Sequence, residues 1–154
     1  MEHYFALKDD FDYAQAYCDM AKAHLSKGQI EEALSSYSKA LSREYDFPNL
    51  KTNAYILYPI TIIENKIIEL YSSANEVLDK NENRLMFPVD YFRWYAAKAI
   101  IEFHMGNIEL AKNHAAKSLD AAKIKKSGFR FHQELGIVGE KYSGIVNELR
   151  AIYA

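Results

Sequence analysis

Residues 16–41, AYCDMAKAHLSKGQIEEALSSYSKAL, decide the fold of this chain. On both sides of Gly28 apolar side chains recur every three or four positions, a spacing that places them on one face of an α-helix. Because Gly28 ends the first pattern, we expect one helix over residues 11–27 and a second from residue 29 or 30 to about residue 43. The turn between them is so short that the two helices must run antiparallel. The stretch therefore predicts a helical hairpin.

A second copy of the hairpin lies 78 residues further along the chain. Residues 94–119, WYAAKAIIEFHMGNIELAKNHAAKSL, align with the first copy so that Gly106 falls on Gly28. Self-similarity of this kind is the signature of a repeat architecture. We expect one helix to start at Asp90, which suits an N-cap, and the next to span residues 108–124.

The segment between the two copies, residues 48–91, carries a different pattern. From Pro59 to Lys80 apolar residues repeat at alternating spacings of three and four, and Pro59 suits a first helical turn. This pattern predicts one continuous helix of about six turns. Residues 52–58 form either a short helix before it or the N-terminal arm of a kinked longer helix. We therefore expect residues 48–91 to form a divergent hairpin with an elongated second helix.

The composition supports an all-α fold in a single domain. The 154 residues are 49% hydrophobic, with three prolines and six glycines, and hardly any segment alternates polar and apolar residues. A last apolar stripe predicts a helix over about residues 140–153, and its members are Tyr142, Ile145, Val146, Leu149 and Ile152. We expect residues 1–154 to stack antiparallel helix hairpins as a short α-solenoid, closed by this C-terminal capping helix.

The first hairpin resembles the tetratricopeptide repeat (TPR) family. That family places aromatic, apolar and small residues on its first helix, a glycine in the turn, and Ala, an aromatic residue and Ala on its second helix. The matching positions here are Tyr17, Met20, Ala21, Gly28, Ala33, Tyr37 and Ala40. The resemblance implies TPR-like repeat units over about residues 14–47 and 92–125.

The resemblance also implies a groove on the face of each unit's first helix, where a peptide segment or partner protein binds without a cofactor. In the first unit the implied groove residues are Gln15, Cys18, Asp19, Lys22 and Leu25. In the second unit they are Arg93, Ala96, Ala97, Ile100 and Phe103.

Residues suited to catalysis or metal binding are scattered. No HExxH motif, paired-cysteine motif or glycine-rich phosphate loop occurs, and the single Cys18 cannot form an internal disulfide. We expect His24 to be a core residue with a satisfied hydrogen bond, and His104 and His114 to lie on the surface. The acidic residues that suit a helix start better than a metal site are Asp9, Asp10 and Asp12. The sequence therefore predicts neither an enzyme nor a metal site.

Targeting signals are missing from the expected places. The N-terminal residues MEHYFALKDDFD lack the basic start and apolar stretch of a signal peptide, and no apolar run approaches the roughly 20 residues of a membrane span. A single cysteine also favours a reducing compartment. We expect a cytoplasmic protein without membrane contact.

The segment Lys123–His132, KIKKSGFRFH, has two interpretations. In the first, its phenylalanines stack bases and its cations grip phosphates, namely Lys123, Lys125, Lys126 and Arg130. In the second, the lysines cap a helix that ends at Gly128, and the phenylalanines pin the loop to the core. We favour the second, so nucleic-acid binding is the alternative function to a non-catalytic protein interaction module.

The long stripe over Pro59–Lys80 bears on association. It exceeds the length that a hairpin of this size needs, and an overhanging apolar end is costly in water. The stripe can serve as core, which we favour, or as a dimer interface. We expect a weak preference for a homodimer over a monomer, and Ile67→Asp to disrupt either the core or the interface.

Overall fold

A computed structural model describes residues 13–128 and 130–154, which contain seven α-helices and no strand. The helices are α1 Tyr13–Ser26, α2 Ile30–Asp46, α3 Ala54–Glu64, α4 Tyr71–Lys80, α5 Pro88–His104, α6 Ile108–Ala122 and α7 Ser143–Tyr153. Short 3-10 helices occupy Ile68–Leu70, Glu82–Arg84 and Glu140–Tyr142. The prediction of an all-α fold is confirmed.

The chain divides into two compact units, Met1–Thr61 and Ile62–Ala154, with the boundary inside α3. Our expectation that residues 1–154 form one domain stays a prediction.

The first unit contains the predicted hairpin of α1 and α2. Ala21, Ala33 and Ala40 are fully buried, so their small side chains let the two helices approach closely. Tyr37 is buried beside them, and Tyr17 is half-buried. The buried carboxylate of Glu44, in the last turn of α2, accepts a hydrogen bond from the N–H of Thr52, which follows the helix.

The second unit is organised around α5. It packs against α6, where the hydroxyl of Ser118 donates to the carbonyl oxygen of Phe92 at 2.8 Å. It also packs against α4, since the indole N–H of Trp94 donates to the carbonyl oxygen of Leu78 at 2.8 Å. The ammonium of Lys98, which is buried, donates to Asn75 and Asp79 on α4.

The C-terminal helix is confirmed, although α7 starts at Ser143 after a 3-10 turn. It packs against both α6 and α5. Its buried residues are those of the predicted stripe, Ile145, Leu149 and Ile152, while Val146 is half-buried. Helix α7 therefore covers the α5–α6 hairpin of the second unit.

Three inter-helix turns share one backbone geometry. Each contains a residue with positive φ, and the N–H of the next residue donates to a carbonyl oxygen five positions back, at 2.9–3.0 Å. The positive-φ residues are Gly28 (φ 72°), Lys66 (φ 51°) and Gly106 (φ 86°). This arrangement is the Schellman motif that commonly ends helices.

The positions of these turns along the chain show a repeat that is not apparent from the amino-acid sequence. The positive-φ residues are 38 and 40 residues apart, whereas a TPR repeat has about 34 residues. The residue two positions after each is an isoleucine, namely Ile30, Ile68 and Ile108. The described part of the chain therefore contains three helix-turn-helix connections of one kind, the middle one without a glycine.

The prediction of a six-turn helix over Pro59–Lys80 is wrong. Helix α3 ends at Glu64, and α4 starts at Tyr71. Pro59 lies inside α3 rather than in its first turn, so the residues before it belong to the same helix, as in the second of the two alternatives for residues 52–58. Ile67 lies in the turn, with φ −84° and ψ 78°. Two shorter helices can give the same apolar spacing as one long helix when the turn between them keeps the spacing of three or four residues. The spacing alone does not show where the chain changes direction.

The start of α5 also differs from the prediction. The helix begins at Pro88, whose fixed φ and missing N–H suit the first helical position. Asp90 is therefore the third helical residue and not the N-cap. Its carboxylate accepts a hydrogen bond from the N–H of Phe87 at 2.9 Å, which satisfies a backbone donor at the helix start.

Candidate functional site

The predicted groove residues of the first unit fall into two groups. Gln15, Asp19 and Lys22 are exposed at spacings that place them on one side of α1. The amide of Gln15 donates to the carboxylate of Asp19 at 2.8 Å. Cys18 is 0% exposed and belongs to the core instead, and Leu25 is half-buried. Burial raises the pKa of the Cys18 thiol, because it disfavours the thiolate.

The predicted groove residues of the second unit are mostly covered. Ile100 is 6% exposed, and residues 96–102 are all buried because α4, α6 and α7 pack around α5. Arg93 is half-buried, with its Nε donating to the carbonyl oxygen of Val89 at 3.3 Å and a guanidinium nitrogen 3.9 Å from the carboxylate of Asp90. Of this set, Phe103 is the exposed residue, at 47%.

Three of the five histidines of the chain differ in their surroundings. His24 is half-buried rather than in the core, and its Nδ1 lies 2.7 Å from the amide oxygen of Gln29. His104 is exposed as predicted, with its ring edge against Tyr71.

The expectation that His114 lies on the surface is wrong. Its imidazole is half-buried, stacks on Tyr95 at 5.7 Å between centroids and meets the ring of Trp94 edge-on at 6.0 Å. Its Nδ1 is buried without a hydrogen-bond partner among the described residues. Burial lowers the pKa of His114, and the positive charges of Lys98 and Lys117 lower it further.

A groove between α5, α6 and the segment after α6 was missed by the sequence analysis. It has a volume of about 490 Å³ and is lined mainly by apolar and aromatic groups. We call it the α5–α6 groove; its main lining residues are Met86, Tyr91, Tyr95, Lys117, Ile124 and Lys126. The spacing of Tyr91 and Tyr95 places them on one side of α5, but only folding brings the segment after α6 beside them.

The segment Lys123–His132 does not follow the structural interpretation that we favoured. Helix α6 ends at Ala122, well before Gly128, and the cations Lys123, Lys125, Lys126 and Arg130 are exposed. Phe131 is 84% exposed and does not pin the loop to the core. Phe129 lies outside the described residues.

Ser127 holds the segment instead of a phenylalanine. Its N–H donates to the carbonyl oxygen of Gln133 at 2.5 Å, and its hydroxyl donates to the carbonyl oxygen of His132 at 2.8 Å. The carbonyl oxygen of Gly136 then accepts from the N–H of Val89 at 2.7 Å, which ties the loop to the first turn of α5. The loop is therefore fixed at both ends by hydrogen bonds.

Within residues 13–128 and 130–154, no group of three or more His, Cys, Asp or Glu side chains is placed to hold a metal ion. Asp9, Asp10 and Asp12 lie outside the described residues. No helix in the described part of the chain has both the length and the apolar character needed to cross a membrane.

Comparisons with protein-family models, with curated proteins and with solved structures find no match for this chain. The TPR resemblance therefore stays a prediction.

Proposed function

We propose that this chain is a non-catalytic protein interaction module, in which TPR-like helix hairpins stack as a short α-solenoid and bind a peptide segment or partner protein. The observation that carries the proposal is the Schellman turn that recurs at Gly28, Lys66 and Gly106. Helical hairpins repeated in this way bury one face against their neighbours and leave a side for partners.

The binding face in the first unit is the exposed side of α1. Gln15, Asp19 and Lys22 supply an amide, a carboxylate and an ammonium within two helical turns. Such a set offers both donors and acceptors to the backbone of an extended peptide. The hydrogen bond from Gln15 to Asp19 orients two of these groups before a partner arrives.

A pulldown of the full chain from lysate, read by mass spectrometry, tests this function. The comparison is between the wild type and the double variant Gln15→Arg, Lys22→Glu, with Lys51→Glu as a control that changes an exposed charge elsewhere in the same unit. We expect the double variant to lose partners that the wild type and the control both retain. Identical partner sets for all three proteins would argue against the α1 face.

Nucleic-acid binding is the second candidate, favoured by one observation. Phe131 is exposed, and the guanidinium of Arg130 lies 5.3 Å from its ring, among the exposed lysines of the same segment. Cations beside an exposed ring are suited to phosphates and stacked bases.

A mobility shift assay at low salt tests nucleic-acid binding. The logarithm of the affinity should decrease by roughly 0.9 per log unit of salt for each phosphate contact on duplex DNA. An unshifted band at tens of micromolar protein, the upper end of about 1–100 μM for non-specific binding, would remove this candidate.

A further inference from the structure

We propose that the α5–α6 groove binds an acidic peptide segment that carries large apolar side chains. This inference rests on the proposed function, because it assigns a second surface and a partner chemistry to a protein interaction module. All of its residues belong to the second unit, and none belongs to the α1 face.

The lining of the groove is apolar and accessible. Met86 is 67% exposed, Tyr91 41% and Ile124 42%, and all three line the same concavity of about 490 Å³. Large apolar side chains scattered singly over a surface are ordinary, but several that converge in a concave site mark a place for apolar groups of a partner. The groove is therefore suited to one or two aliphatic or aromatic side chains.

The rims of the groove are held in place before any partner binds. On one side, the carboxylate of Asp90 accepts hydrogen bonds from the N–H groups of Phe87 and Met86 and fixes the approach to α5. On the other side, Ser127 is tied to His132 and Gln133. A site that is already ordered loses less conformational entropy on binding. These contacts favour a peptide docking into a preformed groove.

The charges around the groove select an acidic partner. Lys117 and Lys126 line it, and both are exposed. The acidic residue among its described lining, Asp120, lies 3.3 Å from the ammonium of Lys123 and is thereby partly neutralised. Positive rims attract acidic segments and discriminate against basic ones. Charge complementarity therefore points to Asp and Glu beside the apolar side chains of the partner.

The surroundings of the Tyr95 ring favour a peptide over a nucleic acid as the occupant of the groove. The ring of Tyr95 stacks on His114 and lies 5.3 Å from the ammonium of Lys117. Stacking of bases requires open ring faces, and these neighbours compete for the faces of Tyr95. A mainly apolar lining also matches amphipathic peptides better than sugars and phosphates.

The experiment is a selection from a random dodecapeptide display library on the immobilised full chain. Selected peptides are then labelled with fluorescein, and their affinities are measured by anisotropy. We expect enrichment of Asp and Glu beside aromatic or aliphatic residues. We also expect both Ile124→Glu and the double variant Lys117→Glu, Lys126→Glu to weaken binding by about tenfold or more, as loss of a central anchor or a complementary charge pair does.

The controls separate this proposal from the function it rests on. The double variant Gln15→Arg, Lys22→Glu changes the α1 face alone and should leave these peptides bound. Circular dichroism of each variant checks that it is folded. Peptides that respond to the α1 variant but not to the groove variants would overturn the groove and support the α1 face. Three other outcomes would overturn the proposal. The selection could yield no peptides, or it could yield peptides without enrichment of Asp and Glu. The groove variants could also lose binding of labelled single-stranded DNA but keep binding of the peptides.

Discussion

Cys18 illustrates how burial alters the chemistry of a single residue. It is the one cysteine of the chain, it is fully buried in the first unit, and burial raises the pKa of its thiol. Because the thiolate is the reactive form, the native protein should react slowly with a thiol reagent and stoichiometrically in denaturant. The measurement is the rate of thiol labelling with and without guanidinium chloride. Rapid labelling of the native protein would contradict the buried position.

His114 should make the stability of the chain depend on pH. Its folded-state pKa lies below the unfolded value of about 6.5, mainly through burial and then through Lys98 and Lys117, against the opposing charges of Glu102 and Glu82. The unfolded state therefore binds more protons in this range. The stability that the neutral imidazole contributes is present above pH 6.5 and is lost as the pH falls toward the folded pKa.

Urea unfolding followed by Trp94 fluorescence between pH 7.5 and pH 5.5, a window around the ordinary histidine pKa of about 6.5, tests this expectation. As the pH is lowered, the free energy of unfolding should decrease less steeply in His114→Gln than in the wild type. His132→Gln, which changes an exposed histidine, is the matched control and should keep the wild-type slope. Equal slopes in the wild type and His114→Gln would contradict the role assigned to His114.

The middle inter-helix turn, at Lys66, shows the conformational cost of a non-glycine residue with positive φ. Lys66 has φ 51°, where an L-residue with a Cβ is disfavoured by about 1 kcal/mol. Lys66→Gly relieves this cost but adds freedom to the unfolded chain, so we expect a net stabilisation of roughly 0.5 kcal/mol. The reverse change, Gly106→Lys, should destabilise, although a Cβ there meets no atom within 4 Å. Chemical unfolding of both variants measures the difference, and destabilisation by Lys66→Gly would contradict the turn geometry.

Helix α7 should contribute strongly to the second unit. Leu149 is fully buried against the α5–α6 hairpin, so Leu149→Ala removes a core side chain and leaves a cavity. The expected loss is about 2–5 kcal/mol in the free energy of unfolding. Asn147→Ala, an exposed position on the same helix, should have little effect. Trp94 fluorescence in urea reports both, and equal stabilities of the two variants would show that α7 is not part of the core.

For the whole molecule, we expect a homodimer, now through a different surface. Ile67 lies in a turn, but several large apolar side chains near the turns at Lys66 and Gly106 are exposed. They are Ile68, Phe103, Met105, Ile108 and Leu110. Burying these side chains against a second copy removes apolar surface from water. Light scattering at about 100 μM should show a dimer for the wild type and a monomer for Phe103→Asp, Ile108→Asp. A monomeric wild type would contradict this expectation.

The sequence by itself determined the helical class, the hairpin of α1 and α2, its copy in α5 and α6, and the C-terminal helix. These features depend on local chemistry, because apolar spacing forms a helical face and a glycine such as Gly28 or Gly106 permits the turn. The burial of Ala33 and Leu149 followed from the same pattern.

Only the tertiary structure decided which faces are covered and which stay open. The turn at Lys66 carries no glycine, so the local sequence does not signal its positive φ, and the turn is recognised only from the hydrogen bond that the N–H of Ile67 donates to the carbonyl oxygen of Ile62. Ile100 lost its predicted exposure because α5 is covered by three other helices, a packing that the amphipathic pattern of α5 does not encode. His114, on α6, lost it because its ring packs against Trp94 and Tyr95 of α5. The α5–α6 groove exists because the carbonyl oxygen of Gly136 accepts a hydrogen bond from the N–H of Val89, a residue far away in sequence, and this ties the segment after α6 to the first turn of α5. Ser127 closes the segment onto itself through its bonds to His132 and Gln133.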